Sequence, residues 1–191
     1  MTEKDIFAER GRSLEDDYFR KKDRELIEKM KQGAAAEASR RELGDKSGLK
    51  DPELLKELQD LGFTPDTLPL LPLMPMIQMA WAEGGITARE RELLIDLARK
   101  RGIASGSPSD RQLAEWLDKR PAPSVFSRAM RLIRAMLDSG QEPGSMSADD
   151  VVKYAEDIAY ASGGILGLGR ISFEERTLLN SIAAELKTRH K

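Results

Sequence analysis

The chain has 191 residues and a net charge of −2 at pH 7; 40% of its residues are hydrophobic and 34% are charged. It has no cysteine and one histidine, His190, which excludes disulfides and thiolate or multi-histidine metal sites, and it has no positive excess to favour nucleic acid. No apolar run approaches the roughly 20 residues that span a bilayer, and the N-terminus has no apolar signal core. We therefore expect a cytoplasmic protein with no transmembrane segment and no nucleic-acid partner.

Residues 1–32 form a charged helix candidate with nine Lys or Arg and nine Asp or Glu residues. Apolar residues are sparse, and pairs such as Phe19 and Leu26 predict a thin stripe rather than a sustained coiled-coil seam. Such a helix either docks on its own domain or binds a partner, which could be a second copy of the chain. Residues 33–50, which are bounded by glycines, look like a linker or weak helix, so we interpret residues 1–50 as a charged appendage with a linker.

The helical domain is expected over residues 51–191. Asp51 is placed to cap a short helix that opens with a proline and an acid, which is typical of a helix start. Residues 68–81 are almost wholly apolar, but three prolines within this stretch forbid one straight helix. We predict a short helical turn followed by a buried central helix that ends near Glu83.

The remaining apolar residues recur at helical spacing, and no segment alternates with the period of two that marks a strand. Ser109 and Ser147 are expected N-caps, and residues 140–147 are read as a second linker. Helices are predicted over residues 87–100, 109–119, 124–138, 148–162 and 172–189. The fold class is therefore all-α, a helical bundle with an N-terminal charged helix.

The chain nearly repeats itself, because residues 79–94 reappear in looser form over residues 158–179. Each copy reads as a helix, a double-glycine stop, an isoleucine, a hydroxyl cap and a second helix. This pattern predicts two duplicated helical hairpins within one bundle. It also predicts two capping boxes, in which a hydroxyl and a glutamate three residues later exchange hydrogen bonds with the backbone: Thr87 with Glu90, and Ser172 with Glu175.

Glu83 is the acid that this local helix chemistry does not explain. It lies at the C-terminal end of a predicted helix, where a negative charge meets the negative end of the helix dipole at a cost of about 0.3–1 kcal/mol. Compensation could come from Arg89, from Arg91 or from a bound cation. The matching position in the second copy is Ser162, which carries no charge.

Residues 80–91, Ala-Trp-Ala-Glu-Gly-Gly-Ile-Thr-Ala-Arg-Glu-Arg, resemble the hairpin signature of the TerB-like (tellurite-resistance) family. The resemblance covers about residues 65–191 and is sharpest over 76–98. It implies an all-helical fold with duplicated hairpins and an association with stress-response complexes at the inner face of a membrane. It also implies divalent-metal binding by the acids of the turn, which correspond here to Glu83 and Glu90.

The second copy departs from that pattern, because Ser162 replaces the acid and residues 165–170 are an insertion. A symmetric two-site metal scheme is therefore not expected. Only Glu83 and Glu90 are candidate metal ligands, and two carboxylates supplemented by carbonyls and water predict at most a weakly bound divalent cation and no other cofactor.

The leading hypothesis for function is a non-catalytic helical module that acts through contacts with a protein partner, or with itself through residues 1–32. One alternative is divalent-metal sensing at the first hairpin turn. A third hypothesis is an enzyme in which Glu83 and Glu90 divide the acid and base roles. Nothing else in the chain supplies a nucleophile, an oxyanion donor set or a cofactor loop, so the expectation is that the protein is not an enzyme.

Overall fold

A computed structural model describes residues 3–140, 146–161 and 171–187, and their side chains from residue 18 to residue 186. The described residues contain helices and no strand, which confirms the all-α fold class. The helices are α1 (Glu3–Ser47), α2 (Pro52–Asp60), a 3-10 helix (Leu68–Leu73), α3 (Met74–Ala80), α4 (Ala88–Lys100), α5 (Pro108–Asp118), α6 (Pro123–Asp138), α7 (Ala148–Ala161) and α8 (Phe173–Lys187). The chain divides into two compact units, Met1–Arg41 and Glu42–Lys191.

The first helix continues through most of residues 33–50, the stretch that the sequence indicated as a linker or weak helix. Neither Gly33 nor Gly44 interrupts α1, which ends at Ser47. A glycine inside a helix costs about 1 kcal/mol, and burial of Leu43 in the domain core offsets that cost locally. Gly44 also lies close to α2, since a Cβ there would lie 3.4 Å from a side-chain carbon of Leu55.

The unit Glu42–Lys191 is organised around α3, which contacts α4, α6, α7, α8 and the 3-10 helix. The proline-rich stretch before α3 forms the 3-10 helix, because Pro72 has no N–H to donate within a regular α-helix. Apart from Gln78, both elements consist of apolar residues, as expected for a central helix. Their side chains at Leu70, Leu71, Leu73, Met74, Met76 and Ile77 are fully buried.

Trp81 and Trp116 join the start of the first turn to α5. The indole N–H of Trp81 donates to the carbonyl of Trp116 at 2.9 Å. Trp116 in turn meets the ring of Phe63 edge-on, with ring centroids 5.8 Å apart. Both tryptophans are partly buried against the core, so each combines apolar packing with a satisfied polar group.

The predicted cap of α5 at Ser109 is wrong. Ser107 caps this helix, because it accepts from the N–H of Asp110 and is followed by a proline at the first helical position. Ser109 is instead buried, and its hydroxyl donates to the carbonyl of Asp66 at 2.6 Å. The side chain thus ties α5 to the loop before the 3-10 helix.

Parts of the predicted second hairpin lie outside the described residues, namely most of the linker 140–147, Ser162 and the glycine-rich stretch 163–170. The helices on either side of that stretch, α7 and α8, are present and contact each other. Within the described part of the chain, no helix combines the length and the apolar character that a bilayer crossing requires.

Candidate functional site

The first hairpin turn joins α3 to α4 and carries the two acids that the sequence singled out. Gly84 adopts a left-handed conformation (φ 89°) and its N–H donates to the carbonyl of Trp81 at 3.1 Å, which closes the turn. Glu83 is exposed on this turn, whereas the side chain of Glu90 is only 2% exposed. The two carboxylates therefore occupy different environments although they belong to one hairpin.

Glu90 forms the predicted capping box with Thr87. The N–H and the hydroxyl of Thr87 each donate to the Oε2 atom of Glu90 at 2.7 Å, and the N–H of Glu90 donates to the hydroxyl oxygen of Thr87 at 3.2 Å. These bonds satisfy backbone donors that the first turn of α4 would otherwise leave unpaired. The primary role of Glu90 in this geometry is to fix the start of α4.

Glu175 forms the equivalent box at the start of α8. Its Oε2 atom accepts from the N–H of Ser172 at 2.8 Å, and its own N–H donates to the hydroxyl oxygen of Ser172 at 3.2 Å. Like Glu90, it is buried. Both predicted boxes are thus confirmed, and each places a carboxylate in the interior.

The carboxylates of the two boxes influence each other electrostatically. Burial raises the pKa of Glu90 above its ordinary value of 4.5, the hydrogen bonds from Thr87 oppose that rise, and the negative charges of Glu175 and Glu83 add to it. The carboxylate of Glu90 is therefore close enough to those of Glu175 and Glu83 to be affected by their charges. A cation or a proton placed among them would relieve that repulsion.

Within the described residues, no group of three or more His, Cys, Asp or Glu side chains is arranged to hold a metal ion. Arg91, which the sequence offered as a counter-charge for Glu83, donates to the carboxylate of Asp118 at 2.7 Å and to the carbonyl of Leu117 at 2.8 Å. Its guanidinium therefore fastens α4 to the end of α5.

A second buried carboxylate, which the sequence did not reveal, lies between α2 and α6. Glu57 is buried, and its carboxylate accepts from Arg131 and from Arg128 Nε, the latter at 2.9 Å. Burial acts to raise the pKa of Glu57, but the hydrogen bonds and charges of the two arginines outweigh it and lower the pKa below 4.5. A cleft of about 390 Å³ opens beside this cluster and is lined by Glu53, Leu54, Lys56, Glu57, Asp60, Arg128 and Arg131.

A smaller and more apolar groove lies between α4 and α7. Its volume is about 160 Å³, and its lining combines aliphatic and aromatic side chains with a charged rim. The lining residues are Leu93, Asp96, Leu97, Lys100, Tyr154, Asp157 and Ile158. We call this feature the α4–α7 groove; Leu97 and Ile158 are buried in it, while Asp96 and Asp157 are exposed on its rim.

The largest group of exposed apolar side chains among those described is on α1. Phe19, Leu26 and Met30 are 61%, 58% and 67% exposed. Their spacings of seven and four residues put them on one face of the helix. Tyr18 and Ile27, at the borders of this face, are also more than half exposed. We call these five residues the α1 apolar face.

No protein-family model, curated protein or solved structure matches this chain.

Proposed function

We propose that this chain is a non-catalytic helical module that acts by binding protein, and that the α1 apolar face is its docking element. The observation that carries the proposal is the exposure of five large apolar side chains on one segment of one helix. Clustered exposed apolar residues are typical of surfaces that bind a partner, whereas single ones are ordinary. A partner that covers these side chains removes their apolar surface from water, which is energetically favourable.

Charges on α1 fit the same role. Residues 18–32 carry six Lys or Arg and three Asp or Glu, so polar side chains border the apolar ones on both sides. An apolar centre with a charged rim is the usual composition of a protein interface, in which the centre supplies affinity and the rim supplies orientation. Cytoplasmic location belongs to this proposal as an expectation, as do a TerB-like relationship and the association with stress-response complexes that the resemblance of residues 80–91 implies.

The proposal is tested by affinity capture from cell extract with the full chain as bait. Leu26→Asp combined with Met30→Asp introduces two charges into the α1 apolar face, and both sites are exposed, so the fold is expected to survive. Phe173→Asp is the matched control, because Phe173 is 80% exposed but lies on α8. Proteins captured by wild type and by the control, and lost with the double variant, support the proposal. Identical captured sets from all three baits contradict it.

Divalent-cation sensing at the first hairpin turn is the second candidate, and the electrostatic proximity of Glu83, Glu90 and Glu175 favours it. Hard cations usually recruit six to eight oxygens, and Glu90 is already engaged by Thr87. We therefore expect calorimetric titration with Ca²⁺, Mg²⁺ and Zn²⁺ to show a dissociation constant no tighter than about 0.1 mM. A micromolar site that Glu83→Gln abolishes would make cation sensing the leading function.

A further inference from the structure

The α4–α7 groove has the size of one apolar side chain. Its volume is about 160 Å³. An apolar protein cavity of about 150 Å³ holds a benzene-sized group, so a phenylalanine or leucine side chain is a matched occupant. Leu93, Leu97 and Ile158 supply the apolar walls, and Tyr154 adds an aromatic edge.

The α7 side of the groove is acidic, whereas α4 carries four basic and three acidic residues. Helix α7 carries four Asp or Glu residues and one lysine, which gives it a formal charge of −3. Asp96 and Asp157 lie on the rim itself, against one cation at Lys100. An occupant that brings an apolar side chain flanked by positive charges would therefore complement the groove in both respects.

One segment of the same sequence has this combination. Residues 18–32 carry a formal charge of +3 and present Phe19, Leu26 and Met30 on one face. Lys22 and Lys29 border that face, since each lies three residues from one of these apolar side chains. All three apolar side chains are more than half exposed.

We infer that the α4–α7 groove of one copy receives the α1 apolar face of a second copy, with the cations of residues 18–32 placed against the acids of α7. This inference rests on the proposed function and names its partner. Two copies that exchange their α1 segments in this way form a symmetric dimer in which both grooves are filled. The contact is small, so association is expected to be weak and to depend on salt.

A lipid surface is the competing occupant for an exposed basic and apolar helix. Charge alone does not separate the two, because both present negative charge to residues 18–32. The α4–α7 groove differs in offering a pocket of about 160 Å³ that fits a single apolar side chain, which a fluid lipid surface does not. A second copy of the chain is therefore the better match.

The first experiment is sedimentation equilibrium of the full chain from about 1 µM to about 1 mM, the range of weak docking contacts. We expect a monomer–dimer equilibrium that Leu26→Asp with Met30→Asp weakens about tenfold or more, and that Phe173→Asp leaves unchanged. A monomer at every concentration overturns the inference. If the capture experiment nevertheless finds another protein on α1, the proposed function survives that failure.

The charge complementarity is tested by reversing it. Lys29→Glu with Lys31→Glu is expected to weaken the dimer, and Asp96→Lys with Asp157→Lys is expected to weaken it as well. Both pairs of substitutions in one chain restore opposite charges across the contact, so dimerisation recovers. All four side chains are exposed, and circular dichroism serves to check that each variant stays folded. Failure of the combined variant to recover contradicts the assignment of the groove.

Cross-linking of an equal mixture of ordinary and isotope-labelled chains identifies the contact directly. The expected product is an amine cross-link between Lys29 of one copy and Lys100 of the other, recognised by its mixed isotope composition. Cross-links confined to one copy would mean docking within the chain. Cross-links joining only the α1 segments of two copies would mean helix-to-helix pairing. Binding to anionic phosphatidylserine vesicles without any dimer would mean a membrane surface. Each of these three results overturns the inference.

Discussion

Leu26 in α1 and Leu94 in α4 are both leucines within a helix, yet their surroundings are opposite. Leu94 is fully buried in the core of Glu42–Lys191, whereas Leu26 is 58% exposed. Burying a leucine side chain is worth about 1.5–3 kcal/mol, so Leu94 contributes to folding a stabilisation that Leu26 largely forgoes. The comparison teaches that apolar residues differ in role here: those of the helical domain hold the fold, whereas those of the α1 apolar face contribute little burial, as the proposed docking role requires.

The largest expected effect separates these two leucines. Leu94→Ala should lower the free energy of unfolding by about 2–5 kcal/mol, because it leaves a cavity in a packed core. Leu26→Ala should change it by less than about 0.5 kcal/mol. Chemical denaturation at micromolar concentration, followed by tryptophan fluorescence, measures both. Equal losses for the two variants would refute the division of roles between the two regions.

A second comparison concerns two buried glutamates, Glu57 and Glu90, whose pKa values move in opposite directions. Two arginines hold Glu57 ionised, whereas among the described residues Glu90 accepts from Thr87 and lies near other acids. The lesson is that burial alone does not decide the charge state of a carboxyl group, because the partners supplied by tertiary structure decide it.

Glu57→Gln should lower the free energy of unfolding by about 1–2 kcal/mol at pH 7, because both arginines lose a charged acceptor but remain partly in water. The lowered pKa of Glu57 means that its contribution is present above pH 4.5 and is lost as the pH falls below that value. Denaturant midpoints of variant and wild type should therefore converge in acid. Glu53→Gln, at an exposed site on the same helix, is the control. A pH-independent difference would mean that the arginine contacts do not set the charge of Glu57.

Glu90→Gln has the smallest expected effect, and its pH dependence has the opposite sign. The raised pKa of Glu90 means that its contribution is fully present below pH 4.5 and is lost as the pH rises through the higher, folded-state value. Glutamine stays neutral and can still accept from Thr87. The variant should therefore gain stability relative to wild type as the pH rises above 4.5. Glu92→Gln, at an exposed site two residues away, should show no such trend.

Local patterns predicted the parts of the fold that depend on neighbouring residues. The boxes at Thr87 and Ser172 were predictable because each partner is three residues away, and the proline-rich stretch before α3 predicted a broken helix because proline lacks a donor. The N-cap of α5 was not predictable in this way, because Ser107 and Ser109 are both serines, a residue type that is favoured at an N-cap. The contact that occupies Ser109 comes from Asp66, which is 43 residues away.

Contacts between residues far apart in the sequence also limited the prediction of the buried glutamates and of the exposed face of α1. The sequence identified Glu90 through its spacing from Thr87, but its proximity to Glu175 depends on how the two hairpins pack. Glu57 was overlooked because its arginines are 71 and 74 residues further along the chain. The charge pattern of residues 1–32 indicated a polar helix, but only the exposure of its apolar side chains distinguishes a docking face from one that covers its own core.

The most direct test of the division of roles is the unfolding of a fragment containing residues 42–191, compared with the full chain at micromolar concentration. Both tryptophans, Trp81 and Trp116, lie within the fragment, so fluorescence reports the same domain in each. We predict cooperative transitions whose unfolding free energies agree within about 0.5 kcal/mol, because the core lies within Glu42–Lys191. A broad transition, or a loss of more than about 2 kcal/mol in the fragment, would show that residues 1–41 serve the fold itself and would contradict the account.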